Sequence, residues 1–430
     1  MKGEVMFQID AVLPLKPLQR SMMYRYCSSE NSTAFYELYV YHINGEIDLS
    51  LLKLAIYHID RNRDVMRSIF LWKNTKQFLQ VIRSDKQTKF SMLDASKTLD
   101  CWIQQIWCKH LDLSSSPYEV YWYPVNKNES YLLVKTHHIL IDGWSQSIWA
   151  NELMNFYHML LQGEPPQIFV VEYEKYLAEY IKNTQKNKSY WRNKLLDFPI
   201  RSNYLATKPS PQIFTMKFNK LFQKITSYSE KVAVSFSSYV YTAWAIFLSI
   251  QKNNRHVAFY ITLSGRENIP AKFSDVMGMF INVIPISVML KQKTEVLRII
   301  KDIHEDCLDS MFHQEIDLME TLMETPEAHQ PEISSTIDLQ TYPIFIKKEN
   351  SVFSMEVCNH LFECHDDLLL AVRKQNDDLV LELIYNLNRF GEGFGEYTCK
   401  LMGKILEQML NADITYDAIL NRWRNGCESF

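Results

Sequence analysis

The stretch that decides the fold is VKTHHILIDGWSQSIW, residues 134–149. Two adjacent histidines, His137 and His138, are followed by three aliphatic residues and then by Asp142 and Gly143. The apolar run before the histidines predicts a strand, and the apolar spacing after the glycine predicts a helix. Because catalytic side chains are often mounted where rigid elements end, this connection is the first candidate for an active site.

The chemistry available to the two histidines depends on the geometry of the strand that carries them. Successive strand side chains point to opposite faces, so His137 and His138 are expected to diverge. One imidazole then faces a cleft, where it can take a proton from an amine or hydroxyl that attacks a carbonyl. Asp142 is expected to brace the loop, and Gly143 lets the backbone turn sharply beside a substrate.

A pair of histidines is also found in zinc sites and in hydrolases. Adjacent strand histidines diverge and no third ligand follows at a recognised spacing, which disfavours a zinc site. The absence of a GxSxG elbow from the sequence disfavours a Ser-His-Asp hydrolase. From the chemistry alone, a structural and a catalytic role for the pair stay equally open.

The composition is that of a globular protein with a large core. Of 430 residues, 47% are hydrophobic and 22% are charged, which is typical of folded domains. A net charge of −4 without a Lys/Arg block favours no nucleic-acid partner. Apolar runs shorter than a membrane span, and no visible signal peptide, predict no membrane association and a cytoplasmic location. Eight scattered cysteines without a CxxC pair fit buried thiols of a reducing compartment.

Element patterns divide the chain into two halves of similar α+β composition. In the first half, a strand and a helix capped by Asp48 are followed by a hairpin and then by the strand and helix around the double histidine, with Gly163 as the stop of that helix. In the second half, helices are predicted over 237–252 and 396–410, and strands over 256–265 and 378–386. A long polar helix is predicted over residues 172–196, near the connection. We therefore predict an N-terminal lobe, 1–175, that carries the histidine loop, and a C-terminal lobe, 176–430, each a layered α+β unit.

The run from His137 to Gly143 resembles the HHxxxDG motif of the condensation domains of nonribosomal peptide synthetases, which share a superfamily with chloramphenicol acetyltransferase. Further segments resemble family motifs in the same order along nearly the whole chain. They are LPLKPLQRSMMY with Gln19, RNRDVMRSIF with Arg67 and Phe70, KSYWRNKL, and SGRENIPAKFSDVMGMFINVIPI with Arg266, Gly278, Phe280 and Asn282. HQEIDLMETL keeps only His313 and Gln314 of its motif with a conservative glutamate, and the last family motif, RDxSRNPL, is not recognisable.

The resemblance implies both a fold and a reaction. The fold is an α+β architecture, an α/β sandwich of two chloramphenicol-acetyltransferase-like lobes arranged as a V with a central tunnel. The reaction transfers an acyl or aminoacyl group from the phosphopantetheine thioester of a carrier protein to an amine. This forms an amide in nonribosomal peptide-type secondary metabolism, such as antibiotic biosynthesis. The resemblance implies no permanently bound cofactor and no metal.

The resemblance also implies roles for individual residues. His138 orients the nucleophile or takes its proton, and His137 supports it. Asp142 holds the loop, paired with Arg266 across the lobes, while Gly143 lines the tunnel and offers a backbone N–H to the developing oxyanion. The remaining residues that match family motifs are Arg67 for structural support, and Trp144, Ser145, Gly278 and Asn282 for the tunnel.

Three classes of function stay open on this resemblance. They are amide formation, ester formation with a hydroxyl acceptor by a carrier-dependent O-acyltransferase, and a scaffold without catalysis, which the intact motif argues against. GMFINVIP differs from the epimerase-like GWFT, the histidines disfavour a cyclization domain, and the plant-type DFGWG is absent. Without adenylation or carrier segments, 430 residues predict a free-standing monomer. It meets a carrier protein in trans and uses a small amine or a second carrier-bound acceptor.

Overall fold

The computed structural model describes residues 8–28, 33–167, 173–184, 187–200, 210–266, 275–326, 329–333, 335–340, 353–362 and 367–426. The chain packs as two compact units. The first comprises Met1–Lys182, Ile269–Ile281 and Tyr342–Glu363, and the second comprises Asn183–Asn268, Asn282–Thr341 and Cys364–Phe430. Two later segments of the chain therefore belong to the first unit. The lobes expected at 1–175 and 176–430 stay a prediction.

Strands and helices are numbered in chain order within the described ranges. The strands are β1 (Ile9–Pro14), β2 (Tyr36–Asn44), β3 (Ser68–Leu71), β4 (Leu79–Arg83), β5 (Lys89–Met92), β6 (Tyr118–Asn126), β7 (Glu129–His137), β8 (Pro211–Phe218), β9 (His256–Leu263), β10 (Asn282–Met289), β11 (Thr336–Gln340), β12 (Ser354–Phe362), β13 (Leu368–Gln375) and β14 (Asp378–Asn386). The α-helices are α1 (Pro17–Ser28), α2 (Leu49–Asn62), α3 (Leu99–Cys108), α4 (Gly143–Leu161), α5 (Tyr173–Thr184), α6 (Lys188–Leu195), α7 (Leu221–Lys231), α8 (Phe236–Lys252), α9 (Val296–Phe312), α10 (Leu318–Glu324), α11 (Leu387–Phe390), α12 (Phe394–Gln408) and α13 (Tyr416–Gly426).

The first unit is built on a five-stranded sheet in the order β12-β2-β7-β6-β5. Strand β7, which leads to the double histidine, lies antiparallel between β2 and β6, and only β5 runs parallel to its neighbour. The edge strand β12 comes from the late segment of this unit and pairs antiparallel with β2. A separate sheet, β1-β4-β3, contains the hairpin predicted at β3 and β4, which is confirmed.

Helices α2 and α4 pack on one another in the core of the first unit. The carboxylate of Asp48 accepts the N–H groups of Ser50 and Leu51 at 2.8 and 3.2 Å, which confirms it as the N-cap of α2. Such a cap contributes about 1 kcal/mol. Helix α4 ends, as predicted, before Gly163, which takes a left-handed φ of 78° that favours glycine. Local sequence signals therefore set the start of α2 and the end of α4.

The second unit is built on a six-stranded mixed sheet in the order β10-β9-β11-β13-β14-β8. Strand β11 runs parallel to both β9 and β13, and the other pairs are antiparallel. The helices and strands expected in the second half of the sequence, including α8, β9, β14 and α12, are confirmed.

Helix α8 forms the centre of the second unit. All of its residues from 238 to 250 are buried, and helices α9 and α12 pack against it. A helix that is apolar on every side belongs in a core or a membrane. Among the described helices, none alone has the length and apolar composition of a membrane span. Helices α7 and α8 have this length and composition only when they are taken together, and the chain bends by 109° between them.

The prediction of one long helix over residues 172–196 is wrong. The structure has two helices there, α5 and α6, and the second begins after Asn187. The side-chain amide of Asn187 donates to the backbone carbonyl of Glu315 and contacts the Nδ1 atom of His313, both at 3.0 Å. These contacts fix the start of α6 and come from residues more than a hundred positions away, which local helical periodicity does not display.

Candidate active site

The double histidine lies where β7 ends, and the sheet separates the two rings. Tyr36 of β2 is opposite His137, and the N–H of His138 still donates to the carbonyl of Phe35 at 2.7 Å. His137 is fully buried, whereas His138 keeps partial exposure. Adjacent residues of an extended chain face opposite ways, so the two imidazoles enter different environments, as the strand pattern predicts.

His138 is held in one tautomer by the loop that follows it. Its Nδ1 atom lies 2.9 Å from the carbonyl oxygen of Ile141. Because a carbonyl only accepts, Nδ1 carries the proton and Nε2 keeps its lone pair. Burial by itself would lower the pKa of His138. The charges of Glu37 and Asp142, together with the Ile141 carbonyl, outweigh burial and raise that pKa above its ordinary value. The side chain is therefore an oriented base of increased basicity.

His137 has the opposite properties. Its Nδ1 accepts the N–H of Ile139 at 3.0 Å, and the rings of Tyr36 and Tyr26 lie edge-on to it at centroid distances of 5.6 and 5.9 Å. Burial, and then the neighbouring His138, lower the pKa of His137 to about 3. It is therefore neutral and packed against aromatic rings, and its supporting role stays a prediction. In the part of the chain that the structure describes, no cluster of three or more His, Cys, Asp or Glu side chains is arranged to hold a metal ion.

Asp142 is the N-cap of α4 and braces the loop with both carboxylate oxygens. Oδ1 accepts the N–H of Ser145 at 2.8 Å, and Oδ2 accepts the N–H of Phe280 at 2.9 Å. Its own N–H donates to the carbonyl of Gly278 at 3.2 Å. At 1% exposure, the carboxylate is satisfied by backbone donors, as a buried charge requires. Asp142 thus ties the histidine loop to the segment around residue 279, within the first unit.

Ser145 and Gly278, both predicted to line a tunnel, meet behind the loop. The Ser145 hydroxyl donates to the Gly278 carbonyl at 2.9 Å and accepts the Gly278 N–H at 3.0 Å. A Cβ atom on Gly278 would lie 2.4 Å from the ring of Tyr173, closer than any side chain tolerates. Glycine is therefore required here for the close approach of the two segments.

The first turn of α4 supplies the electrostatics of the site. Gly143 is the first helical residue and is buried, while the following Trp144 keeps 37% of its surface exposed. The first N–H groups of a helix lack partners within the helix, and the aligned peptide dipoles make this end positive. The loop therefore presents an oriented imidazole beside a helix end that favours developing negative charge.

Two further residues hold the site, and the sequence reasoning assigned them no role. The Gln19 amide donates to the Ile139 carbonyl at 2.8 Å and accepts the Lys16 N–H at 2.9 Å. The buried Lys16 ammonium donates to the carbonyls of Met279 and Phe280 at 3.1 and 3.2 Å. A lysine inside the apolar run LPLKPL was the available signal, because a charge in such a run is costly unless it is bonded.

Arg67, expected as structural support, lies away from the loop. Its guanidinium donates to the carbonyls of Arg83 at 3.0 Å and Asp60 at 2.6 Å. It also pairs with the carboxylate of Asp10 at 3.1 Å. These contacts join the end of α2 to β1 and β4 within the first unit.

Asn282 and Arg266 belong to the second unit. The side-chain amide of Asn282 donates to the carbonyl of Gln314 at 2.7 Å, which links two segments that resemble family motifs. The backbone N–H of Arg266 donates to the Ser264 hydroxyl at 3.1 Å. The ion pair expected between Arg266 and Asp142 stays a prediction.

Comparison with known proteins places this chain in a family. The family model described as Condensation domain matches residues 9–413. Bacitracin synthase 1 of Bacillus licheniformis is 23% identical over 430 residues, which cover 94% of this chain and 8% of that synthase. The chain thus spans less than a tenth of the length of this relative.

Solved structures share the fold at low sequence identity. The first condensation domain of the calcium-dependent antibiotic synthetase, in complex with a substrate analogue, has a TM-score of 0.77 at 15% identity. The matched region covers 95% of this chain and 99% of the chain of that condensation domain. The X-domain of teicoplanin biosynthesis, in complex with OxyB, has a TM-score of 0.79 at 14% identity, with 97% and 98% covered. The mixed α/β, chloramphenicol-acetyltransferase-like fold expected from the sequence is confirmed. The chain belongs to the condensation-domain family of nonribosomal peptide synthetases, whose members are acyltransferases that form amide bonds.

Proposed function

We propose that this chain transfers an acyl or aminoacyl group from a carrier-protein phosphopantetheine thioester to an amine and so forms an amide. One observation carries the proposal. The Nδ1–H of His138 is fixed on the carbonyl of Ile141, which leaves the Nε2 lone pair available beside the N-terminus of α4. Family membership supports the reaction class, and the intact loop supports chemistry over a purely structural role.

The reaction balances with His138 as the only proton carrier. The amine nitrogen attacks the thioester carbonyl carbon, a C–N bond forms, and Nε2 of His138 takes the proton that the nitrogen loses. The oxyanion that develops is stabilised by the positive end of α4 at Gly143. When the tetrahedral intermediate collapses, the C–S bond breaks, and the proton on His138 passes to the leaving sulfur to give a free thiol.

Most of the acceleration comes from positioning rather than from the base. Thioesters are activated acyl donors, and aligning two reactants supplies roughly 7–11 kcal/mol. General-base assistance adds about 10²–10⁴ in rate. Asp142 takes no part in proton transfer in this scheme, because both of its oxygens accept backbone N–H groups. Its role is to keep the loop in shape.

The donor partner we propose is an acyl or peptidyl carrier protein, and the acceptor is either a small amine or a second carrier-bound amine. No cofactor is bound permanently in this scheme, because phosphopantetheine arrives with the carrier. A cytoplasmic location, a monomeric state and the meeting of carriers in trans stay predictions. The ester-forming alternative differs only in the acceptor, so the choice of acceptor in the assay decides between them.

The test is a panel of acyl- and aminoacyl-carrier thioesters offered to the purified chain with amine and alcohol acceptors. Intact-protein mass spectrometry reads loss of the acyl group from the carrier, and small-molecule mass spectrometry identifies the product. We expect amide products that form about 10²–10⁴ times more slowly in His138→Ala and at an unchanged rate in His158→Ala, a matched control in the same loop–helix unit. Esters in place of amides would select the alternative, and equal turnover by His138→Ala and the unmodified chain would overturn the proton-transfer role.

A further inference from the structure

Glu37 is a buried carboxylate on the sheet that carries the histidine loop. It lies in β2, opposite Thr136 of β7 on one side and Phe362 of β12 on the other. Only 6% of the residue is exposed. Burying an ionised carboxylate is expensive unless charges or hydrogen bonds compensate it, so the stability of this carboxylate depends on the groups around it.

The contacts of Glu37 are polar but incomplete. The Tyr39 hydroxyl donates to its Oε1 atom at 3.4 Å, and Nε2 of His360 lies 3.6 Å from the same oxygen. The His360 ring stacks on Tyr39 with centroids 4.1 Å apart. The second oxygen, Oε2, is buried and has no hydrogen-bond partner among the described residues. The hydrogen bonds of Glu37 therefore do not offset the cost of burying its negative charge, and a nearby positive charge is needed to do so.

The strand register brings Glu37 next to the catalytic histidine. Residues opposite each other share a face of the sheet, and so do residues two apart in one strand. Thr136 is opposite Glu37, so His138, two residues beyond Thr136, is the diagonal neighbour of Glu37 on the same face. Diagonal neighbours have Cα atoms about 7–8 Å apart, within reach of long side chains.

The charges on this face fit a carboxylate that acts on the imidazole. Burial raises the pKa of Glu37, but the positive charges of His138 and His360 outweigh burial and hold it below its ordinary value. Glu37 also makes the largest contribution that raises the pKa of His138. The charged groups that act on His138 are Glu37 from β2 and Asp142 from the start of α4. The adjacent His137 of β7 is neutral and points to the opposite face of the sheet. Both carboxylate oxygens of Asp142 accept backbone N–H groups. The Oε2 atom of Glu37 accepts no hydrogen bond among the described residues.

We propose that Glu37, supported by His360, is a positioning residue that stabilises the imidazolium formed when His138 takes the proton of the nucleophile. This rests on the proposed function, because it names a second carboxylate for the same proton transfer. Asp142 keeps the loop in shape, and Glu37 sets the basicity of the ring. The sheet therefore contributes to the chemistry through a strand that lies outside the histidine motif.

The test replaces the charge and keeps the shape, with Glu37→Gln. We expect the acid limb of the pH profile of kcat/KM to move to lower pH by about one unit, since a neutral amide no longer stabilises the imidazolium. We expect kcat at the plateau to fall about tenfold, because a weaker base is a poorer proton acceptor. Glu37→Asp, which keeps the charge, should restore most of the acid-limb position.

The chain offers a matched control for this substitution. Glu129 of β7 faces His42 of β2 at 3.2 Å, at the other end of the same strand pair. Glu129→Gln removes a His–Glu pair from the same sheet without approaching His138. We expect its acid limb to match that of the unmodified chain. A shift of equal size in both variants would overturn the proposal, because loss of any carboxylate from this sheet would then have the same effect on the acid limb.

A second readout separates this inference from the proposed function. NMR titration of histidine-labelled protein follows His138 directly, with His138→Ala to assign its signal. We expect His138 in the unmodified chain to titrate above the ordinary histidine value of about 6.5 and about one unit lower in Glu37→Gln. If no carrier substrate yields an amide, the proposed function fails, while this titration still tests the contact. A His138 midpoint at or below the ordinary value in the unmodified chain overturns the role of Glu37, even if Glu37→Gln does not fold.

Discussion

The two faces of one sheet treat two adjacent histidines in opposite ways. On one face, His137 is packed between the Tyr26 and Tyr36 rings and its pKa falls to about 3. On the other face, His138 lies near the Glu37 carboxylate and its pKa rises. The same side chain becomes inert or basic according to its strand parity. Sequence adjacency therefore says little about chemical similarity in an extended segment.

The largest effect is expected from removing the basic ring. His138→Ala should lower kcat/KM by about 10²–10⁴, while the midpoint of thermal unfolding stays close to that of the unmodified chain, because the ring is partly exposed. Steady-state kinetics with a loaded carrier and calorimetry measure both quantities. If the variant loses both activity and stability, His138 is a packing residue like His137, and the two histidines do not differ in role.

The second effect concerns Asp142, the carboxylate that braces the loop after the two histidines. Asp142→Ala removes the acceptor of two backbone N–H groups, from Ser145 and Phe280. Hydrogen bonds to a charged group contribute about 1.5–3 kcal/mol each, so we expect the free energy of unfolding to fall by about 3 kcal/mol. Urea titration followed by tryptophan fluorescence measures it. Asp142→Asn keeps one oxygen acceptor and should lose less, and equal losses would show that the charge and the second acceptor are irrelevant.

The smallest effect, taken per pH unit, is a dependence of stability on pH that differs in sign between the two rings. The folded-state pKa of His137 lies far below its unfolded value, so His137 contributes stability that is present above about pH 6.5 and lost as the pH falls towards about 3. His138 has a raised pKa. It contributes stability that is present below its unfolded pKa and lost as the pH rises through its folded pKa.

These opposite slopes can be separated by substitution. His137→Phe should make the free energy of unfolding less sensitive to acid between about pH 6.5 and 3, by at most about 1.4 kcal/mol per pH unit. His138→Phe should leave that acid slope in place. Urea titrations at several pH values measure both. An unchanged acid slope in His137→Phe would show that the buried ring is not neutral in the folded state.

Local signals predicted much of what surrounds the site. The strand into His137, the helix after Gly143, the Asp48 cap and the stop at Gly163 follow from periodicity and capping chemistry, and the structure confirms them. The fold as a whole followed from motif order, which the family match confirms. These features depend on residues close together in sequence or on patterns repeated across a family.

The remaining features depend on contacts that a single sequence does not display. Phe280 donates its N–H to Asp142, which lies 138 positions earlier in the chain. The ammonium group of Lys16, near the N-terminus, donates to the carbonyl of Phe280. Glu37 left a faint signal, a carboxylate within the apolar strand YELYVYHI. Its meaning depended on which histidine shared its face, and this required the register of β2 against β7.

The edge strand β12 has a consequence for how this protein is made. It pairs with β2, yet it lies more than three hundred residues later in the chain. During synthesis, the aromatic-rich strand β2 therefore waits with one unpaired edge until residue 362 has left the ribosome. An open edge of this kind is a template for pairing with other chains, and contacts so distant in sequence form slowly. The strand that delivers His360 beside Glu37 is thus also the one that covers the aromatic-rich edge of β2.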